Sequence, residues 1–135
     1  MKSSRDRTWS VGEVAERFDL PTNVLRHWES VGLLTPPRDS AGRRRYSRND
    51  IARVAAIQRN KDAGMTLDQI AVLLDSGAPE RHAVLQAHLD DLDHRMEQMR
   101  LSREMTEHAY NCKAHDISVC PGFQRHLADL MAAFD

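Results

Sequence analysis

Ser10-Val11-Gly12-Glu13-Val14-Ala15-Glu16-Arg17-Phe18-Asp19-Leu20-Pro21-Thr22-Asn23-Val24-Leu25-Arg26-His27-Trp28-Glu29-Ser30 is the stretch that decides the fold. Ser10 is an N-cap residue type with Glu13 three positions on, the spacing at which each side chain covers an unpaired backbone N–H of the other. Val11, Val14, Ala15 and Phe18 then share one helical face. Asp19 to Thr22 interrupts the period, with Pro21 suited to a helix start. A second short helix follows, with Val24, Leu25 and Trp28 facing inward. Asn23, Arg26 and His27 point out, where they are expected to contact bases in the major groove. Arg26 has a competing role, bracing whatever follows the helix. Two short helices joined by a tight turn form a helix-turn-helix.

Gly32 ends the second helix, and Leu33-Leu34-Thr35 leads through Pro36-Pro37 into Arg38-Asp39-Ser40-Ala41-Gly42-Arg43-Arg44-Arg45-Tyr46. Turn residues between arginines predict a β-hairpin wing that offers cations to phosphates. Arg43, Arg44, Arg45 and Tyr46 are therefore expected on the DNA backbone, against the alternative of an ordinary solvated charge run. Ser47 with Asp50, and Thr66 with Gln69, repeat the capping spacing and open two more helices, the second carrying Leu67, Ile70, Leu73 and Leu74. Net charge is only −1 over 135 residues, yet its distribution is uneven. Residues 1–64 hold 13 Lys and Arg against 8 Asp and Glu, whereas residues 65–135 hold 6 against 12. The front half suits phosphate and the back half does not. Arg5 and Arg7 can extend the basic surface.

From Pro79 to Asn111 there is no further proline and no glycine. Leu85, Leu89, Leu92, Met96, Met99, Arg103, Thr106 and Tyr110 recur at alternating spacings of four and three, the seam of a two-stranded coiled coil. A helix of 33 residues, about 50 Å long at 1.5 Å per residue, cannot hide such a seam within a small chain. A partner helix is expected, with packing against the C-terminal segment as the alternative. That segment, with Phe123, Leu127, Leu130, Met131 and Phe134 after Pro121, reads as one short amphipathic helix. No apolar run approaches the ~20 residues of a membrane span and no signal-peptide pattern opens the chain, so a cytoplasmic location without a membrane partner is expected. Nucleophile–base pairs, phosphate-cradling glycine loops and paired carboxylates do not stand out, which leaves an enzyme without support.

Both cysteines fall in the loop after the long helix, Cys112 and Cys120. His108 sits four residues before Cys112, on the same helical face, and His115 lies between the cysteines. These four side chains together would satisfy a tetrahedral Zn(II) site, while two thiolates alone favour a soft ion such as Cu(I). A thiol–disulfide or electrophile switch, and inert cysteines in a regulator of an organic effector, stay open as alternatives.

Ser10-Val11-Gly12-Glu13-Val14-Ala15, Leu25-Arg26-His27-Trp28-Glu29, Gly32-Leu33-Leu34, Arg44 with Tyr46, and Ala63-Gly64-Met65-Thr66-Leu67 occur in an order that resembles regulators of the MerR family. The resemblance is close over about the first 75 residues. It implies an antiparallel homodimer, joined through Leu85, Leu89, Leu92, Met96 and Met99, that distorts double-stranded promoter DNA so that RNA polymerase engages when an effector binds. His27-Trp28 and Gly42-Arg43-Arg44 depart from the aromatic pair and Gly-Tyr-Arg common in the family, which bears on operator sequence. The cysteine spacing, with Pro121 following the second, is similar to the metal loop of copper-efflux regulators. Ala83 stands where sensors of divalent metals in the family carry another cysteine, which by resemblance argues against that divalent mode. The expected fold is mainly α: a winged helix-turn-helix domain over residues 1–77, a coiled-coil dimerisation helix over 78–111, and an effector loop with a short C-terminal helix over 112–135.

Overall fold

The structure is a computed structural model that describes residues 7–135. Two compact units divide the chain between Val84 and Leu85.

In the first unit, α1 (Val11–Arg17), α2 (Thr22–Ser30), α3 (Arg48–Asp62) and α4 (Leu67–Leu74) follow one another. Three of the four open with a reciprocal cap. Glu13 N–H donates to Ser10 Oγ at 3.1 Å while Ser10 N–H donates to the Glu13 carboxylate at 3.1 Å. Ser47 with Asp50, and Thr66 with Gln69, make the same exchange at α3 and α4. Each cap is worth about 1 kcal/mol relative to alanine, which matters for helices this short. The turn between α1 and α2 passes through Asp19 at φ 54°. Gly32, at φ 83°, closes α2 by letting Leu33 N–H reach Trp28 O at 2.9 Å.

Burial follows the stripes. Val14 and Ala15 from α1, Leu25 and Trp28 from α2, Leu33 and Leu34 from the link, Val54 and Ile57 from α3, and Met65 with Ile70 at α4 form one core. Arg81, at the start of α5 (Arg81–Asn111), donates from Nε to Leu73 O at 2.9 Å and so fastens the end of the unit to α4.

The wing is smaller than expected. Instead of a two-stranded hairpin, single antiparallel bridges join Arg38 to Arg44 and Trp9 to Tyr46. Pro36 and Pro37 have no N–H to donate, so the ladder cannot lengthen on that side. Arg45 N–H donates to Pro37 O at 2.8 Å and Asp39 N–H to Arg43 O at 2.8 Å, with Gly42 at φ 78° turning the tip. Trp9 and Tyr46 exchange both backbone bonds, at 2.9 and 2.8 Å.

The second unit holds most of α5, then a 3₁₀ turn (Ile117–Val119), α6 (Pro121–Arg125), α7 (Ala128–Met131) and a last 3₁₀ turn (Ala132–Phe134). The C-terminal segment is helical but divided, because His126 and Leu127 tighten to i→i+3 bonds with Phe123 and Gln124. No residue of α5 is fully buried. Leu85 and Leu92 are half-buried, and Leu89, Met96 and Met99 are 55%, 69% and 71% exposed, so the apolar seam lies open in the single chain. Its polar faces carry i,i+3 and i,i+4 ion pairs: Asp91 with Arg95, Glu97 and Glu104 with Arg100, and Arg103 with Glu107. Among the described residues, no helix is long and apolar enough to cross a membrane.

Candidate functional sites: a basic helix-and-wing surface and a thiol–imidazole cluster

On α2 the period that buries Leu25 and Trp28 leaves Asn23, Arg26 and His27 exposed, the arrangement a groove-reading helix needs. Trp28 is in the core, as its spacing predicts. The three consecutive arginines of the wing part company. Arg43 is exposed at the turn. Asp39 shapes that turn by accepting from Ala41 and Arg43 N–H at 2.9 and 3.0 Å, and the Arg43 amide bond holds its carboxyl below the usual range. Arg44 instead forms an ion pair with Glu29 of α2, so the brace between helix and wing is Arg44 and not Arg26. Arg45 donates to Thr8 Oγ1 and Thr8 O, both at 3.1 Å.

Tyr46 is a correction. Expected on the phosphates, it is wholly buried, and its hydroxyl has no hydrogen-bond partner among the described residues. The bridge to Trp9 turns the alternate side chains of this segment inward and outward, and Tyr46 is on the inward side. Arg7 lies over the Trp9 ring at 5.2 Å. Arg5 lies outside the described residues.

The second site is at the far end of α5. The backbone leaves the helix after Asn111, and Asp116 caps the 3₁₀ turn by accepting from Ser118 N–H at 3.0 Å and Ser118 Oγ at 2.6 Å. This tight turn returns Cys120 to the end of α5. Cys112 Sγ is then 3.9 Å from Cys120 Sγ, and Cys120 Sγ is 3.5 Å from His108 Nε2. Both cysteines are free thiols, and the three donor atoms all lie within 4.8 Å of one another. His115 is exposed and outside this group. The four-residue set expected from spacing is therefore a three-residue cluster, because the capped turn folds the loop past His115.

Cys120 is the electrostatically altered member. The Phe123 amide first, then the His108 ring and the Gly122 amide, stabilise its thiolate and bring its pKa down to about 7. Pro121 starts α6 immediately after Cys120, so the first free N–H groups of that helix face the sulfur. Cys-Pro was the available signal for this effect. Gly122 had none, yet a Cβ there would lie 2.7 Å from His108 Cε1. His126 is exposed, and its ring is 5.5 Å from that of His108.

A short helix pair, an exposed polar face on the second helix and an arginine-bearing turn define a helix-turn-helix regulator. Residues 9–77 match the family model described as MerR HTH family regulatory protein, and residues 51–108 match that described as MerR, DNA binding. The chain belongs to the MerR family of DNA-binding transcriptional regulators, not to an enzyme family. It is 27% identical to the HTH-type transcriptional regulator HmrR of Rhizobium leguminosarum bv. viciae, over 83% of this chain and 92% of that one. It is 30% identical to a probable heavy metal-dependent transcriptional regulator of Haemophilus influenzae, over 82% of this chain and 93% of the relative. Among solved structures, HiNmlR, a MerR family regulator lacking the sensor domain and bound to promoter DNA, is similar in fold. The TM-score is 0.66 at 22% identity, covering 77% of this chain and 88% of that one.

Proposed function

We propose that this regulator binds promoter DNA as a homodimer and responds to a thiophilic metal ion held by Cys112, Cys120 and His108. One observation carries the metal reading: two free thiols and an imidazole converge within 4.8 Å where the long helix ends. The donor set fits, since thiolate and imidazole together suit the soft and borderline ions Cu(I) and Zn(II) and not hard cations. The Haemophilus influenzae relative, a probable heavy metal-dependent transcriptional regulator, supports the same reading. With both sulfurs and the imidazole committed to one ion, the end of α5 and the start of α6 are tied together. At neutral pH Cys120 gives up its proton at little cost, which favours occupancy.

On the DNA side, Asn23, Arg26 and His27 read the groove and Arg43 grips phosphate, with Arg44 and Arg45 positioning the wing that carries it. Leu85, Leu89, Leu92, Met96 and Met99 form the seam between two copies of α5, where an open apolar stripe calls for a cover. Distortion of the promoter then sets how RNA polymerase engages it.

The experiment is elemental analysis of reduced, purified protein, repeated with Cys112→Ser and Cys120→Ser, alongside promoter transcription with added Cu(I), Zn(II) or peroxide. Binding of one ion per chain that both substitutions abolish, with a matching transcriptional response, is expected. A response to peroxide alone, with a Cys112–Cys120 disulfide and no bound ion, overturns the metal reading in favour of a redox switch. That rival rests on the same 3.9 Å separation of the sulfurs.

A further inference from the structure

We infer that His108 is a third donor that tunes the loop site to a divalent ion of the zinc class over a two-coordinate monovalent ion. This rests on the metal reading above and narrows the ion, with His108 supplying the further donor that Ala83 does not.

Three observations carry it. The first is the sulfur separation. For metal–sulfur bonds of ~2.3 Å, sulfurs 3.9 Å apart subtend roughly 116° at a shared ion, between the tetrahedral and trigonal values. A linear two-sulfur arrangement would need roughly 4.6 Å with the same bonds. At this separation the two free thiols suit a bent arrangement about an ion, which leaves room for another ligand.

The second observation is where that other ligand stands. His108 Nε2 is 3.5 Å from Cys120 Sγ. With bonds of roughly 2.3 Å to sulfur and 2.05 Å to nitrogen, that distance corresponds to about 107° at the ion. His108 stands in the last turn of α5 and Cys112 is the first residue past its end, so the helix fixes one donor, Cys112 follows it directly and Cys120 arrives from the loop.

The third observation is the space kept for the ring. Gly122 is half-buried in the first turn of α6, and a Cβ there would meet His108 Cε1 at 2.7 Å and Nε2 at 3.4 Å. Real Cβ contacts do not come that close, so any other residue at 122 would move the imidazole. Phe123 and His126, with ring centroids 6.2 and 5.5 Å from that of His108, flank the same ring. Imidazole is a borderline donor that suits Zn(II), whereas Cu(I) is satisfied by two thiolates.

The test uses full-length reduced protein and Co(II) as a spectroscopic probe, with Zn(II) and Cu(I) affinities measured by chelator competition. Expected for the parent protein are thiolate-to-cobalt charge transfer and intense d–d bands of a low-coordinate site, both lost on adding one equivalent of Zn(II). His108→Ala and Gly122→Ala should each lower Zn(II) affinity at least about tenfold more than Cu(I) affinity, the scale on which ligands and their supports act. Both should also shift the Co(II) d–d bands. Circular dichroism confirms that each variant keeps its helices. Equal Zn(II) affinity and an unchanged Co(II) spectrum in both variants would make His108 a packing residue and overturn this inference while leaving a two-cysteine metal site intact. No binding of any of the three ions by the parent protein would overturn the metal reading itself.

Discussion

The two units of this chain differ in what their side-chain bonds surround. In the DNA-binding unit these bonds are three reciprocal caps, Arg44 on Glu29, Arg45 on Thr8, Arg53 Nε on Leu33 O at 2.6 Å, and Asp39 on its own turn. These bonds surround a core of eleven buried side chains. In the unit beyond Leu85 no described residue is buried, and the two thiols and the imidazole contact one another, neighbouring amides and the rings of Phe123 and His126. One unit is built to hold a shape and the other to acquire one. A folded core gains its stability before any ligand arrives, whereas a loop with few buried contacts can gain much of its order from what it binds.

The largest test of this contrast is Trp28→Ala. It should cost about 3–5 kcal/mol, read as a lowered urea midpoint, and abolish DNA binding. Leu130→Ala in the other unit, where the side chain is 71% exposed, should stay within about 0.5 kcal/mol. Comparable losses in both would erase the distinction. Next comes the division of labour in the wing. Arg43→Ala should weaken binding to all duplexes alike and lower the slope of log affinity against log salt by about 0.9. Arg44→Ala should leave that slope near the parent value, with stability down by about 0.2–1 kcal/mol for a partly exposed ion pair. An equal loss of slope in both would return Arg44 to the phosphates.

A smaller effect concerns reactivity. The nucleophile is the thiolate, and Cys120 has its pKa lowered from 9.0 to about 7. Iodoacetamide labelling of Cys120 in metal-free, reduced protein should therefore rise through a midpoint near pH 7, falling away below it as the thiol reprotonates. A midpoint at the ordinary thiol value would contradict the amide geometry at α6. The smallest is Tyr46→Phe. Removing a buried hydroxyl without a partner should leave stability unchanged or raise it slightly, with DNA affinity unaltered. A loss of affinity would put the phenol back on the duplex.

What could be read in advance follows the range of the interactions involved. Ser10, Ser47 and Thr66 declare their caps because donor and acceptor are three residues apart. The core stripe of α2 is likewise fixed by helical period, which is why Trp28 and the exposed trio Asn23, Arg26 and His27 were legible. Tyr46 was not, since its direction depends on pairing with Trp9, 37 positions away. For the same reason the three arginines of the wing looked equivalent in the sequence, although Glu29 claims one and Thr8 another. At the thiol cluster, spacing placed His108 beside Cys112 but treated His115 as its equal. Only the turn capped by Asp116 separates them. Gly122 carried no signal at all, because its importance is the volume it leaves to a ring fourteen residues earlier.

The Arg44–Glu29 pair joins α2 to the wing. On the proposed reading, the side chains that meet bases and the turn that meets phosphate therefore move together, and switching between silent and active promoters falls to how the two copies of this unit in a dimer are placed.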